Sequence, residues 1–229
     1  MTFKTIPVIR GFTEIKEIFE ACERYNAVIC GGYVRYMCSP KKDPVKPSDV
    51  DLFPKSFDAF DKLKSYFLET EKFEVKHEND VSLTLDAPKN TVWEYRPIVQ
   101  IIKPVKEGAI VTTGTLEEIL ENFDFSIVRV GLLSSTTALA DEDFLDDEKK
   151  MLLKLKNIHC PVSSLLRCVK YGKKGYYLRP MEAMKLFIDW DNRDDDYKIQ
   201  LIDFFDKSNT EDKWTQEEVD QLERLLRID

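Results

Sequence analysis

The stretch from the apolar run Ala27–Cys30 to Asp51 constrains this chain more than any other part of the sequence. Gly31 and Gly32 follow the apolar run directly, and a loop rich in proline and lysine then leads to Asp49 and Asp51. The run predicts a buried strand, the glycine pair predicts a tight turn into a short helix, and the aspartates fall on a second strand. Because side chains at i and i+2 of a strand point to the same face, the two carboxylates are expected side by side.

The two halves of this stretch suit one chemistry, the handling of a phosphorylated substrate together with a metal. Paired carboxylates are ligands for hard divalent cations such as Mg²⁺, which usually keep substrate phosphates as further ligands. A glycine turn lacks Cβ atoms and lets a phosphate approach the backbone, and the following helix offers N–H groups and the positive end of its dipole. Each motif alone also occurs as an ordinary turn or a solvated strand end, so their order is the stronger signal.

Composition is typical of a globular protein from a reducing compartment. The chain has 229 residues, of which 43% are hydrophobic and 33% charged. No window approaches the roughly 20 apolar residues of a membrane span, and the segment Met1–Arg10 lacks a signal-peptide core. The five cysteines have no CxxC spacing and are expected to be free thiols, which predicts a cytoplasmic protein. The net charge of −8 argues against indiscriminate nucleic-acid binding, and two histidines argue against a histidine-rich metal centre.

The residue pattern changes near residue 145, and the predicted fold class is α+β. Residues 1–145 mix helices with β-prone runs, whereas residues 146–229 have helical spacing throughout. In the first half, the spacing predicts a helix over Thr13–Tyr25 and a capping box at Thr115 with Glu118. The helices predicted in the second half are Asp146–Lys156, Val162–Lys174, Pro180–Trp190, Asp194–Asp206 and Thr215–Leu226.

Several segments resemble the nucleotidyltransferase superfamily, in the order in which that family carries them. Gly31-Gly32-Tyr33-Val34-Arg35 with Ser48-Asp49-Val50-Asp51-Leu52-Phe53 is similar to motif A of the head domain of class II tRNA nucleotidyltransferases and poly(A) polymerases. Phe123-Asp124-Phe125-Ser126-Ile127 resembles the family's Asp-Phe-Thr-Ile-Asn segment. Leu166-Arg167-Cys168-Val169-Lys170-Tyr171 resembles the helix of its neck. The resemblance implies a mixed β-sheet head over residues 1–145 and a helical neck and body over residues 146–229.

The resemblance implies a Mg²⁺-dependent enzyme that adds a nucleoside monophosphate from an NTP to a hydroxyl, most simply an RNA or tRNA 3′ end. In the family's two-metal mechanism, one metal lowers the pKa of the attacking hydroxyl and the other neutralises the leaving pyrophosphate. The positions that match family site residues fall into three groups. These are Asp49 and Asp51 for the metals, Gly31, Gly32 and Arg35 for the triphosphate, and Asp124 for the nucleotide sugar.

The sequence departs from the family at two places that bear on activity. Gln100 stands where a later strand of the family carries a third carboxylate, and a neutral amide is a weaker metal ligand. Glu94 could replace that carboxylate only if Pro97 bends the strand. The family's Glu-Asp-x-x-Arg, which reads the base, is missing, so the preference between ATP, CTP and other nucleotides stays open.

A basic run near the middle of the chain has two interpretations. Lysines and arginines with interspersed tyrosines can hold RNA through phosphate contacts and base stacking, and the same pattern describes a solvated helix face whose tyrosines lie in the core. The candidate RNA-binding residues are Lys154, Arg167, Lys170, Lys173 and Lys174.

Two alternatives to RNA extension remain. The fold could serve as a catalytically weak or inactive nucleotide- or RNA-binding module, which Gln100 and the missing base reader favour. The same chemistry could also modify a protein or a small molecule. The sequence leaves open the oligomeric state and the role of the acidic region Asp191–Asp229.

Overall fold

A computed structural model describes residues 2–89, 97–107 and 110–207 of the chain. The chain divides into two compact units, Met1–Asn157 and Ile158–Asp229. The assignment of residues 1–145 and 146–229 to a head and a helical domain stays a prediction.

The first unit is built around a large mixed sheet, and the second is mainly helical. The strands are β1 (Phe3–Pro7), β2 (Ala27–Cys30), β3 (Asp49–Pro54), β4 (Glu74–Glu78), β5 (Ser82–Asp86), β6 (Ile98–Ile102), β7 (Lys106–Glu107), β8 (Ile110–Val111), β9 (Val130–Leu132), β10 (Thr137–Asp141), β11 (Leu152–Leu153) and β12 (Tyr177–Leu178). The helices are α1 (Lys16–Arg24), α2 (Gly32–Cys38), α3 (Phe57–Ser65), α4 (Leu116–Glu121), α5 (Phe144–Lys150), α6 (Pro161–Gly172), α7 (Pro180–Asp191) and α8 (Asp195–Lys207). This is the α+β class that the sequence predicts.

Eight of the described strands form one sheet in the order β1-β10-β9-β2-β3-β6-β5-β4. Strands β3 and β6 run parallel, and the other described neighbours in this sheet run antiparallel. The aspartate strand β3 therefore lies inside the sheet, between the glycine-turn strand β2 and the strand of Gln100.

The two faces of this sheet are covered by different helices. Val50 and Leu52 of β3 are fully buried in the main core, which also contains apolar residues of α1, α2 and α3. On the opposite face, Cys30 and Phe53 pack with apolar residues of α4. Alternation along β3 therefore turns Asp49 and Asp51 away from the main core, toward the α4 side.

Local sequence signals predicted several elements correctly. The strand Ala27–Cys30 and the helix after the glycine pair are confirmed. The capping box is also confirmed, because Glu118 N–H donates to the Thr115 hydroxyl and the Glu118 carboxylate accepts from Thr115 N–H.

Other predictions about elements were wrong or incomplete. The helix predicted over Asp146–Lys156 ends at Lys150, because Met151 adopts a left-handed backbone (φ 57°) and the chain continues as β11. The helix predicted over Thr13–Tyr25 begins later, at Lys16, and Thr13 lies in a short 3₁₀ turn before it. Strand β1 was not predicted. The predicted helix Thr215–Leu226 and the residue Glu94 lie outside the described residues.

The second unit packs α6, α7 and α8 around its own small apolar cluster. Tyr197, Leu201 and Phe204 of α8 form this cluster with side chains that include Val162 and Trp190. The Tyr197 hydroxyl also lies 3.2 Å from the Cys160 thiol. No helix in the described part of the chain combines the length and the apolar character that a bilayer crossing needs.

Candidate active site

The predicted carboxylate pair is placed on one face of the central sheet. Asp49 and Asp51 are half-buried, whereas Val50 and Leu52 beside them are fully buried. Asp51 pairs in register with Cys30 of β2 on one side and with Gln100 of β6 on the other. The two carboxylates therefore occupy the partly exposed face of a strand that is held rigidly on both edges.

The glycine turn lies directly against this pair. Gly31 has a φ of +81°, and its N–H donates to the Val130 carbonyl at 2.8 Å. A Cβ added at Gly31 would lie 3.2 Å from the Phe123 ring and 3.6 Å from Oδ2 of Asp51. Only a residue without a side chain fits such a backbone, so glycine keeps the space beside the Asp51 carboxylate open.

Gly32 begins α2, and its surroundings are more open. The nearest atom to a Cβ added there would be Cγ of Pro47, at 3.9 Å. The loop that precedes Asp49 thus returns to the glycine turn. The structure brings together the two motifs that the sequence suggested would act jointly.

Gln100 stands beside Asp51, on the position across the β3–β6 pair. The two residues are Cα partners in the parallel ladder, in which neighbouring strands lie about 4.8 Å apart. The Gln100 amide nitrogen donates to the hydroxyl of Ser82 at 3.0 Å, and Ser82 is buried at 4% exposure. The neutral amide is therefore fixed from the β5 side of the sheet.

Arg35, which the resemblance assigns to the triphosphate, lies in a buried ion pair. Its side chain is 2% exposed, and its guanidinium lies 3.2 Å from the fully buried carboxylate of Glu148. Lys41 (3.5 Å) and the Ser39 hydroxyl (2.7 Å) share that carboxylate. Because burial and Glu148 hold the guanidinium in place, Arg35 joins α2 to α5. The triphosphate contact that the resemblance implies for Arg35 stays a prediction.

Asp124 is also buried, at 4% exposure, and its carbonyl accepts from the Lys156 N–H at 2.7 Å. The backbone just before Asp124 is held by Arg129, a residue that sequence reasoning missed. Arg129 is fully buried and donates to the carbonyls of Phe123 (2.8 Å) and Glu121 (2.7 Å). Burial lowers the pKa of Arg129, and Asp141, Glu121 and Asp124 act in the opposite direction.

Arg129 fixes the backbone of Phe123, and the Phe123 ring lies against Gly31. Arg129 therefore stabilises the surroundings of the glycine turn. The one signal in the sequence was a lone arginine inside the apolar run Phe123–Leu133.

The candidate RNA-binding residues are placed in both units. In the first unit, Lys154 donates to the carboxylate of Asp143. In the second unit, Arg167 and Lys170 are exposed on α6, Lys173 is exposed after it, and Lys174 lies 5.3 Å above the Tyr171 ring.

The tyrosines of this basic run divide between core and surface. Tyr171 and Tyr176 are buried and pack edge to face, with ring centroids 5.4 Å apart. Tyr177 is half exposed, at 51%. Two of the three tyrosines therefore belong to the core, as the solvated-helix interpretation expects.

The donors described at this site fit a hard divalent cation. Two carboxylates at i and i+2 supply oxygen ligands of the kind that Mg²⁺ prefers, with substrate phosphates completing the shell. Among the described residues, no group of three or more His, Cys, Asp and Glu side chains is arranged to hold a metal ion. Cys30, the other register neighbour of Asp51, is fully buried, and both burial and the Asp51 charge raise the pKa of its thiol well above the usual range.

A protein-family model matches more than half of this chain. A family model described as "Gad2: Gabija anti-defense 2 family protein" matches residues 8–150. No curated protein sequence matches the chain significantly.

Solved structures of CCA-adding enzymes share the fold. The Bacillus stearothermophilus CCA-adding enzyme in complex with CTP is 14% identical and matches 75% of this chain and 41% of its own, with a TM-score of 0.54. The Thermotoga maritima CCA-adding enzyme complexed with tRNA is 13% identical and matches 81% and 45%, with a TM-score of 0.51. A tRNA nucleotidyltransferase with a primer tRNA and an incoming ATP analogue is 18% identical and matches 73% and 48%, with a TM-score of 0.50.

This chain spans less than half the length of these structures. The likeness shows that this chain shares the fold of these nucleotidyltransferases, which is the fold that the motifs predicted.

Proposed function

This chain belongs to the Gabija anti-defense 2 family, and we propose that it is a nucleotidyltransferase that moves a nucleoside monophosphate from an NTP to a hydroxyl. The observation that carries this proposal is the contact between the glycine turn and the carboxylate pair. The place of a Gly31 Cβ, kept empty by glycine, is 3.6 Å from Oδ2 of Asp51. This contact supports the proposal, in which a phosphorylated substrate and its cation bind next to each other on one strand–turn unit.

In this proposal, Asp49 and Asp51 hold Mg²⁺ through their carboxylate oxygens. When bound, Mg²⁺ supplies charge neutralisation on the triphosphate and polarises the phosphorus under attack. Gly31 and Gly32 let the triphosphate approach the backbone of the turn. The rigid strand β3 keeps the two carboxylates in a fixed relation to that turn, which limits the reorganisation needed during transfer.

We further propose that Arg35 positions the glycine turn, and the direct triphosphate contact that the resemblance implies for Arg35 stays a prediction. Its ion pair with Glu148 is buried and secures α2, the helix that the glycine turn begins. A sugar contact by Asp124 stays a prediction, and it would require that buried carboxylate to become accessible to the nucleotide.

The first candidate acceptor is the 3′ end of an RNA. The fold neighbours described above include an enzyme solved with tRNA and one solved with a primer tRNA. The exposed cations Arg167, Lys170 and Lys173 supply charge of the kind that contacts phosphates.

The second candidate acceptor is a hydroxyl on a component of the Gabija defence. The family's description names an anti-defence role, and covalent nucleotidylation of a defence component is one way for this fold to provide it. The burial of Tyr171 and Tyr176 favours this candidate, since it removes two stacking surfaces from the RNA interpretation.

The test is incubation with each of the four NTPs labelled at the α-phosphate, with Mg²⁺, bulk tRNA and extracts with or without the Gabija system. We expect label in RNA for the first acceptor and in protein for the second. Asp49→Asn with Asp51→Asn should abolish either transfer. Asp61→Asn, which changes an exposed aspartate on α3, is the matched control. Equal transfer by the double variant and the control would refute the proposal.

A further inference from the structure

Helix α7 turns an apolar stripe outward, toward solvent. Its buried side chains are Glu182 and Leu186. The exposed apolar side chains, each 52–68% exposed, are Met181, Met184, Phe187 and Ile188. These four positions fall at i, i+3, i+6 and i+7 and therefore lie on one side of the helix, which we call the outer stripe of α7. A surface helix normally directs its apolar side inward, so a stripe with the opposite orientation indicates a contact with another element.

The sequence after α8 carries a second stripe with the same spacing. Val219, Leu222, Leu225 and Leu226 also fall at i, i+3, i+6 and i+7. They belong to the predicted helix Thr215–Leu226, which lies outside the described residues. Between the positions of this stripe the segment is polar or charged. An amphipathic helix of this composition buries its apolar side against a partner with a matching stripe, as two packed helices do.

The chain is long enough after α8 to bring this segment to α7. Phe204, in the last turn of α8, and Trp190, at the end of α7, belong to the same apolar cluster. From Lys207, the last residue of α8, to Thr215 an extended backbone spans up to about 27 Å. Helix α7 has 12 residues and is about 18 Å long, so the connection exceeds the length of the helix that it has to reach. This short tether also gives the segment a higher effective concentration at α7 than a second copy of the chain has.

We propose that the segment Thr215–Leu226 packs its four apolar side chains on the outer stripe of α7 in the same chain, as a fourth helix of the second unit. This gives a packing role to the end of the acidic region Asp191–Asp229, whose role the sequence leaves open. The outer stripe of α7 is then an internal surface of the second unit and is not a site for RNA or for another protein. The inference is independent of the proposed function, because it involves neither the carboxylate pair nor the glycine turn.

Hydrogen–deuterium exchange with mass spectrometry tests this contact in the full chain, because packing protects the amides of both elements. The leucine variant, Leu222→Asp with Leu226→Asp, places two charges in the apolar stripe of the segment. The matched control, Gln216→Asp with Gln221→Asp, places the same two charges on its polar side.

A reciprocal variant, Met184→Asp with Ile188→Asp, places two charges on the outer stripe of α7. It tests the same contact from the other side, and it decides the question if the leucine variant does not fold. Circular dichroism verifies the fold of each variant, and light scattering at two protein concentrations gives the oligomeric state.

We expect the α7 amides to exchange at least about tenfold faster in the leucine variant than in the wild type, with the control unchanged. In the reciprocal variant, we expect the amides of Thr215–Leu226 to exchange faster by a similar factor. Wild-type exchange of α7 in the folded leucine variant, or wild-type exchange of Thr215–Leu226 in the folded reciprocal variant, would overturn the inference. A wild-type dimer whose dissociation exposes α7 would also overturn it, because a second copy would then cover the outer stripe.

Discussion

Gly31 shows how much of this site depends on a single missing side chain. Its positive φ of +81° belongs to the region that L side chains rarely adopt, and a Cβ there would press on the Phe123 ring at 3.2 Å. Gly32, one residue on, has neither constraint, since the nearest atom to its Cβ would be 3.9 Å away. The two glycines therefore have different tasks, although they look equivalent in sequence.

We predict that Gly31→Ala lowers the free energy of unfolding by about 1–2 kcal/mol, the cost of a left-handed backbone for an L residue. It should also weaken binding of the NTP, because the methyl group and the displaced Phe123 ring enter the space beside Asp51. Gly32→Ala should change stability by less. Urea unfolding measures stability, and fluorescence titration with a labelled nucleotide measures binding. Equal losses in the two variants would contradict this reading of the turn.

Sequence reasoning reached some residues of the site and missed others for a physical reason. Asp49 and Asp51 were readable because strand alternation is a local property of the chain. The burial of Arg35 and Asp124 was not readable, since it depends on Glu148 and on Arg129, which tertiary packing brings to them. An arginine next to a phosphate-type turn looks the same in sequence whether it faces solvent or a distant glutamate.

At the scale of elements, one buried carboxylate ties three segments together. Glu148 on α5 accepts from Ser39 and pairs with Arg35 of α2 and Lys41 of the loop before β3. That loop leads directly to Asp49, so the network fixes the entry to the carboxylate strand. Burial lowers the pKa of Lys41, and the Glu148 charge opposes that effect.

We expect Glu148→Gln to lower the free energy of unfolding by about 3–5 kcal/mol, because it leaves the buried Arg35 guanidinium without its counter-charge. Urea unfolding checks the value. The control is Glu20→Gln, which breaks an exposed pair with Lys16 and should cost about 0.5 kcal/mol or less. A loss no larger than that of the control would show that the network does not stabilise the fold.

Asp143, at the start of α5, gives the fold a defined pH dependence. Hydrogen bonds from Lys154 and Lys156 hold the pKa of Asp143 below its ordinary value, and burial opposes them. A carboxyl whose folded pKa is depressed stabilises the fold above its unfolded pKa of about 3.9. That contribution is lost as the pH falls through the folded pKa.

Asp143→Asn should therefore cost about 0.5–1 kcal/mol at neutral pH, discounted for partial exposure, and progressively less below about pH 4. Urea unfolding of the wild type and the variant over a pH series tests this. Asp146→Asn, in an exposed pair with Lys150, should show a smaller difference. A gap between wild type and Asp143→Asn that widens as the pH falls would contradict the sign of the effect.

Helices and strands of this chain differ in how clearly their own sequence predicts them. The capping box at Thr115 and Glu118 was readable because both bonds form within one helical turn. Strand β1 was missed because only Ile6 of its residues is fully buried, so its alternation is weak. The early end of α5 rests on the left-handed Met151, a conformation that helical periodicity does not reveal.

At the scale of the whole molecule, an acidic chain carries a local basic surface. The net charge is −8, yet Arg167, Lys170 and Lys173 lie exposed within a few residues of each other. Long-range attraction to RNA is therefore weak, and any RNA binding must come from local phosphate contacts. We therefore expect that a few substitutions on this surface strongly reduce RNA binding and leave the fold unchanged.

If RNA is the acceptor, replacing Arg167, Lys170 and Lys173 by Gln should greatly reduce transfer to tRNA and leave nucleotide binding unchanged. Three lost phosphate contacts should reduce the slope of log affinity against log salt by about 2. Filter binding over a salt series measures that slope. The matched control replaces Lys16, Lys62 and Lys150, which lie in exposed ion pairs of the first unit. Equal slopes for the two triple variants would remove this surface from RNA recognition.

The central claim is that Asp49 and Asp51 bind a nucleotide through a divalent cation, and calorimetry tests it most directly. Mg²⁺ with an α,β-methylene nucleotide is titrated into the wild type, Asp51→Asn and Asp61→Asn. We predict equal affinity for the wild type and Asp61→Asn, and a loss of at least about tenfold for Asp51→Asn, which removes a direct cation ligand. Unchanged affinity in a folded Asp51→Asn variant would contradict it.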